Sequence, residues 1–318
     1  MSVLYLREEE VEGLLSMPDA LAAVERAFLA LGTGEAVNEP RRRILLPHAS
    51  LSVMPAGWAS RGYLGFKYYT LRSQGIRFRV HLLDAETGAL LAILEADRLG
   101  QRRTGAASGI ATKFLSRADS SAVGILGTGW QAESQLEALC LVRPIRQIRC
   151  YSRNASHRQE FAKTMSSRLG VDVKAADSAK STVEKADIVV AATSSDDPVI
   201  EGAWLSSGCH VNAVGANRIG ARELDDDLIR RSSLITVDSI EQAKLEAGDL
   251  VRPVQAKILQ WDRVHELSDV VAGKIRGRSA DRDVTLFKSL GIGIEDIAAA
   301  AIVYERARER KMGQDLTM

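Results

Sequence analysis

The 318-residue chain has little that would tie it to a metal, a membrane or a nucleic acid. Its three cysteines, Cys140, Cys150 and Cys209, are odd in number, scattered and without a CxxC pair. That pattern argues against a disulfide framework and predicts reduced thiols in a cytoplasmic protein. The five histidines, His48, His81, His157, His210 and His265, share no metal-ligand spacing, so no metal is expected. Neither charge sign is in excess: 42 Lys and Arg stand against 41 Asp and Glu, a net charge of +1. There is thus no electrostatic case for nucleic acid or an anionic membrane. No apolar run approaches the roughly 20 residues that span a bilayer. The opening residues turn acidic within ten positions and lack the basic start and apolar core of a secretory signal. Internal repeats and low-complexity linkers are also missing.

What is present is a soluble globular composition, 46% hydrophobic and 26% charged, in a chain long enough for two domains. The most informative stretch is Val123-Gly-Ile-Leu-Gly127-Thr-Gly129-Trp130-Gln131-Ala132. A short apolar strand that breaks into Gly-x-Gly-x-x-Ala and opens a helix is a dinucleotide-binding turn. Gly127 permits the tight turn, Gly129 lets backbone approach a pyrophosphate, and Ala132 keeps helix close to strand. The helix N-terminus then offers N–H groups and a partial positive charge to the phosphates. The motif begins more than a third of the way along the chain, which leaves room for a preceding substrate domain.

Elsewhere the periodicity predicts helices over 8–34, broken at Met17-Pro18-Asp19, then strands over 43–55 and 63–71 and a hairpin of 78–84 and 89–95 about Ala85-Glu-Thr-Gly88. A helix over 102–116 leads into an alternation of buried strands and helices, the signature of a doubly wound parallel sheet. The Ala-rich tail, 293–311, reads as a helix with a solvated face. The expected architecture is α/β: a Rossmann-type domain over 119–292, plus an α+β substrate and dimerisation domain over 1–118 completed by 293–318.

In NAD sites a carboxylate at the end of the second strand holds the adenine ribose hydroxyls. Here Ser152 and Arg153 stand there, groups suited to a 2′-phosphate, so NADP(H) is favoured over NAD(H). Thr193, Val214 and Gly215 fall at the carboxyl edge of later strands, where a nicotinamide should rest.

Several short stretches outside the glycine turn run in a recognisable order: Met54-Pro-Ala, Gly65-Phe-Lys67, Arg103-Thr104-Gly-Ala-Ala, Asn212-Ala-Val-Gly215, Glu223-Leu-Asp225, and Phe287-Lys-Ser289-Leu-Gly291 followed by Glu295-Asp296. In these the chain resembles the ornithine cyclodeaminase/mu-crystallin family over nearly its whole length. The resemblance implies a homodimer, a nicotinamide cofactor and small amino, keto or cyclic imino acid substrates. It places Lys67 on the active-site lysine and Arg103 on the substrate-carboxylate arginine. A further substrate arginine belongs in Pro40-Arg41-Arg42-Arg43, with Arg41 ranked ahead of Arg43, the two sharing one face of a strand. Thr104, Trp130, Gln131, Thr193 and Ser289 fall on cofactor positions, although Ser289 also reads as a helix cap.

The departures bear on the reaction. Ser52 stands where the ornithine-cyclising relatives carry a glutamate, and Asn217 where they carry a catalytic aspartate. An amide cannot act as a general base near neutral pH. The expected activity is therefore reduction of an imino or ketimine carboxylate, of the pyrroline-2-carboxylate or piperideine-2-carboxylate type, with Lys67, Arg103 and Asn217 at the reacting centre. Ornithine cyclodeamination, amino-acid dehydrogenation and non-catalytic NADPH binding are the alternatives.

Overall fold

The computed structural model describes residues 2–72 and 75–317. The chain begins β1 (Ser2–Leu6), α1 (Glu8–Leu14), α2 (Met17–Thr33), β2 (Ala36–Asn38), β3 (Arg42–Leu46), β4 (Ala49–Trp58), β5 (Tyr63–Arg72), β6 (Gly75–Asp84), β7 (Leu90–Glu95) and α3 (Asp97–Leu115). It continues through β8 (Ala122–Leu126), α4 (Trp130–Val142), β9 (Gln147–Tyr151), α5 (Ala155–Leu169), β10 (Asp172–Ala175), α6 (Ala179–Val183), β11 (Ile188–Ala191) and β12 (His210–Ala213). The remainder is α7 (Asp226–Arg231), β13 (Ser232–Val237), α8 (Ile240–Glu246), α9 (Gly248–Gln255), β14 (Val264–Glu266), α10 (Leu267–Val271), β15 (Val284–Lys288), α11 (Gly293–Arg310) and β16 (Gln314–Thr317).

Two compact units result, one of Met1–Ala107 with Gly291–Met318 and one of Ser108–Leu290. The division falls after Ala107, inside α3. The second crossing falls after Leu290, two residues before the expected point.

In the first unit the strands form a mixed sheet of order β16-β1-β7-β6-β5-β4-β2, with β3 pairing β4. The strands β4 to β7 are antiparallel neighbours, as the alternating pattern predicts. The break expected at Met17 is the start of α2. Ser16 and Asp19 form a reciprocal cap, and Pro18 is tolerated because a first-turn N–H has no helical partner to lose. α11 departs from expectation. Gly293 to Ala301 is buried on every side, and only the Arg-Glu end is solvated. The small side chains let the helix lie close against β4 and β5, with α2 also in contact. At Gly293 a Cβ would sit 2.6 Å from the Met54 carbonyl oxygen, so only glycine fits.

The second unit is built on a parallel sheet of order β10-β9-β8-β11-β12-β15-β13-β14. Both faces are covered: along β11, Val189 and Ala191 belong to one apolar cluster and Ile188 and Val190 to the other. That is why its strands read as continuous apolar runs rather than alternating ones. The order reverses between β8 and β11, which makes the carboxyl ends of these strands the switch point where such sheets bind ligands.

Candidate active site

A cleft of about 670 Å³ opens at the carboxyl ends of β8, β9 and β11. Gly127, Gly129, Trp130, Gln131, Ser152, Arg153 and Thr193 all line it, as do Tyr151, His157 and Trp204, which sequence reasoning missed. Gly127 turns the chain at φ +97°, and a Cβ there would collide with the Ala192 carbonyl oxygen. At Gly129, the N-cap of α4, a Cβ would meet nothing within 4 Å, and no side chain caps the helix. Open space over an uncapped helix N-terminus fits a pyrophosphate. Ala132 is fully buried behind the turn.

At the end of β9 the Thr128 hydroxyl donates to Ser152 Oγ at 2.9 Å and lies 3.1 Å from His157 Nδ1. Arg158 stacks over Tyr151 and donates to the Ser152 carbonyl, 3.0 Å away. No Asp or Glu is among the described residues that line the cleft. A chain-order clue to His157 was available: it sits in the first turn of α5, three residues after the Asn154 cap, where that helix's N-terminus meets the end of β9.

The far side of the cleft is held by Glu223, which is fully buried. One carboxylate oxygen accepts from the Thr193 N–H and hydroxyl, each at 2.8 Å. The other accepts from the Gly215 and Ala216 N–H groups at 2.7 and 3.0 Å. This carboxylate therefore ties the loop after β11 to the loop after β12. Asp249 holds the Glu223 and Leu224 N–H groups in turn, and its second oxygen lies 3.1 Å from the buried Lys288 ammonium. Val214 and Gly215 follow β12, and Asn217 is exposed on the loop beyond them. Ser289 is not a helix cap: it follows β15, and its hydroxyl donates to Asp238 at 3.4 Å. Thr104 lies in the first unit, where its hydroxyl donates to the Gly100 carbonyl of its own helix at 2.7 Å. His210, buried among Thr285 and Asn212, is pushed down to about 3 chiefly by burial and stays neutral.

The first unit holds a buried cluster of charge. Lys67 projects from β5, Arg103 from α3, and Glu295 and Asp296 from the first turn of α11, all at most 5% exposed. Asp296 Oδ1 lies 3.1 Å from Lys67 Nζ and 2.9 Å from Arg103 Nε, while Glu295 Oε2 lies 2.6 Å from Arg103 Nη1. Arg41, also buried, donates to the Gly291 carbonyl at 3.0 Å. Arg41 precedes β3 instead of lying on it, since pairing with β4 begins at Arg42 opposite Val53. Arg43 is on the strand and exposed, so the cluster gathers Arg41 and not Arg43. Among the described residues, the cations Arg41, Lys67 and Arg103 gather here with the carboxylates Glu295 and Asp296. Burial, with Arg103 next, pushes the Lys67 ammonium down to about 8, and Asp296 partly offsets this. The two carboxylates hold the Arg103 guanidinium firmly charged against its own burial.

A doubly wound dinucleotide-binding unit, in one chain with a buried cation cluster suited to a carboxylate, defines a nicotinamide-dependent oxidoreductase. The chain belongs to the ornithine cyclodeaminase/mu-crystallin family, whose model matches residues 2–311. It is 37% identical over 326 residues to a Delta(1)-pyrroline-2-carboxylate reductase of Bacillus cereus, covering 98% of this chain and 99% of that one. It is 34% identical over 325 residues to the alanine dehydrogenase of Archaeoglobus fulgidus, covering 99% and 98%. Among solved structures, the Thermococcus litoralis Delta(1)-pyrroline-2-carboxylate reductase in complex with NADH and L-proline superposes with a TM-score of 0.94 at 38% identity, covering 99% of this chain and 100% of that one. An archaeal alanine dehydrogenase dimer with bound NAD gives 0.95 at 34% identity, with 100% of each chain covered.

Proposed function

We propose that the protein reduces a small cyclic imino carboxylate, of the pyrroline-2-carboxylate or piperideine-2-carboxylate type, to the L-amino acid, using NADPH in preference to NADH. The observation that carries this reading is the buried cluster of Arg41, Lys67 and Arg103, three cationic side chains gathered where a substrate carboxylate can be held. Arginine grips a carboxylate in a planar, two-bonded fashion, which fixes the α-carbon relative to the clamp. The dinucleotide, when bound along Gly127, Gly129 and Thr193, supplies a hydride. Lys67 would deliver the proton that balances this hydride: the substrate nitrogen would take it from the Lys67 ammonium as the C=N π bond is reduced to a single bond. The product is a neutral ring amine, Lys67 is left neutral, and solvent reprotonates it. With a cation pushed down to about 8 beside the substrate, proton delivery near neutral pH needs no further acid.

NADPH is preferred because Ser152, Arg153 and His157 stand where a ribose-binding carboxylate would otherwise be required. Asn217 and Ser52 lack the basicity for an ornithine-cyclising mechanism, which supports net reduction over ammonia release. The apolar residues exposed on β3, Ile44, Leu45 and Leu46, support a homodimer formed through the first unit, and the unpaired thiols support a cytoplasmic location. The test is NADPH and NADH oxidation against a panel of cyclic and acyclic imino acids, run beside an ornithine-plus-NAD ammonia assay. We expect turnover of a cyclic imine with a lower KM for NADPH; ammonia without imine reduction would overturn the reading.

A further inference from the structure

We propose that Asp296 is the positioning residue of the site: through one carboxylate oxygen it sets the proton donor Lys67 and the carboxylate clamp Arg103 at a fixed spacing. The inference rests on the reductase reading and goes beyond it, because it assigns a role to a residue outside the substrate-contacting set. Its basis is geometric. Lys67 comes from β5 and Arg103 from α3, elements with no common register. Both nitrogens nevertheless reach the same atom, Asp296 Oδ1, at 3.1 and 2.9 Å. The other oxygen, Oδ2, is buried with no hydrogen-bond partner among the described residues, so the contacts of this carboxylate that the structure shows all run through Oδ1. A buried carboxylate with one idle oxygen is costly to keep and is retained where it holds something in place.

The backbone around Asp296 is shaped to bring it there. Gly293, one turn earlier on α11, permits the helix to start against the Met54 carbonyl. Ile294 N–H donates to the Asn38 side chain at 3.1 Å, fixing the rotation of that first turn. The groups that face Lys67 are Asp296 from α11, Arg103 from α3, Arg41 from the segment before β3 and the Phe78 ring from β6, 4.9 Å from the ammonium. Of these Asp296 alone is an anion. It is therefore the group that keeps the ammonium protonated between two guanidinium groups, while also orienting one of them.

The Asp296→Asn variant tests the charge of this residue apart from its spacing, and the Asp296→Glu variant tests the spacing. The amide oxygen still accepts from both nitrogens, so the geometry is preserved while the charge is lost. We expect the basic limb of kcat/KM to move down by at least one pH unit, kcat at neutral pH to fall at least tenfold, and KM for the imine to change by less. The Asp296→Glu variant keeps the charge and should retain the limb while losing part of kcat. A separate readout is the NMR titration of the Lys67 Cε resonance in wild type and variant, which needs no turnover. If the Asn variant does not fold, the Glu variant still decides the matter, through its retained limb and lowered kcat. An unmoved limb and an unmoved Lys67 titration in the Asn variant, or an unaltered kcat in the Glu variant, would overturn the inference. Failure of the wild type to reduce any cyclic imine would instead sink the reductase reading, and the two results are distinct.

Discussion

Lys67 is a cation that the protein makes weaker than it is in water. Burial and the neighbouring guanidinium groups push it down to about 8, from the 10.5 of a free lysine. Two pH dependences of opposite direction follow. As the proposed proton donor, Lys67 would be competent only below about 8, so kcat/KM should fall about tenfold per pH unit above that value. For stability, the unfolded chain binds more protons than the folded one between about 8 and 10.5, so this lysine's contribution becomes more favourable as pH rises through that window. Lys67→Met should lower turnover by about 10²–10⁴-fold while leaving NADPH affinity within a few-fold, as read by quenching of Trp130, which lines the cleft. Unchanged turnover would remove Lys67 from the mechanism. At this scale Lys67 and Arg103 were legible in the sequence through the motifs around them. The pairing of both with Asp296 was not, because no local pattern relates β5, α3 and α11.

Among the elements, the turn from β8 to α4 is the one proposed to bear the cofactor. At Gly127 the positive φ and the closeness of the Ala192 carbonyl both demand the absence of a side chain. Gly127→Ala should cost about 2 kcal/mol of stability in urea unfolding and weaken NADPH binding at least tenfold, the first from backbone strain and the second from displacement of the turn. Equal affinity in the variant would mean that the turn does not touch the cofactor. This element was the most legible in the chain, since the chemistry of a phosphate-binding turn requires particular residues at consecutive positions. β15 was the opposite case: Thr285 and Lys288 interrupt its apolar pattern, yet both are fully buried, and the partners that tolerate them come from elsewhere in the fold. β1 was also missed, because its pairing with β7 and β16 joins residues far apart in sequence.

For the whole molecule, the exposed strand β3 bears on association. Ile44, Leu45 and Leu46 are 59%, 75% and 67% exposed on consecutive positions of an edge strand, an arrangement that monomers avoid. Leu45→Glu should shift the protein from a dimer to a monomer in light scattering coupled to size exclusion, with loss of activity at dilute concentration. A wild-type monomer would refute the dimer. The exposed apolar strand was readable as a strand from its sequence, but its exposure was not, because a short apolar run serves a buried strand as well as an interface.

By itself the sequence determined the class of chemistry. Glycine spacing, the arginine and lysine motifs, and the missing carboxylates at Ser52, Ser152 and Asn217 each follow from residue type at a position, and residue type is what a sequence contains. The tertiary structure alone decided which charges meet. It buried Arg41 and left Arg43 outside, and it gave Glu223 two loops to hold. It also brought Lys67 and Arg103 to one oxygen of Asp296. Coulombic and hydrogen-bond energies depend on distances between residues hundreds of positions apart, and packing sets those distances where local periodicity cannot.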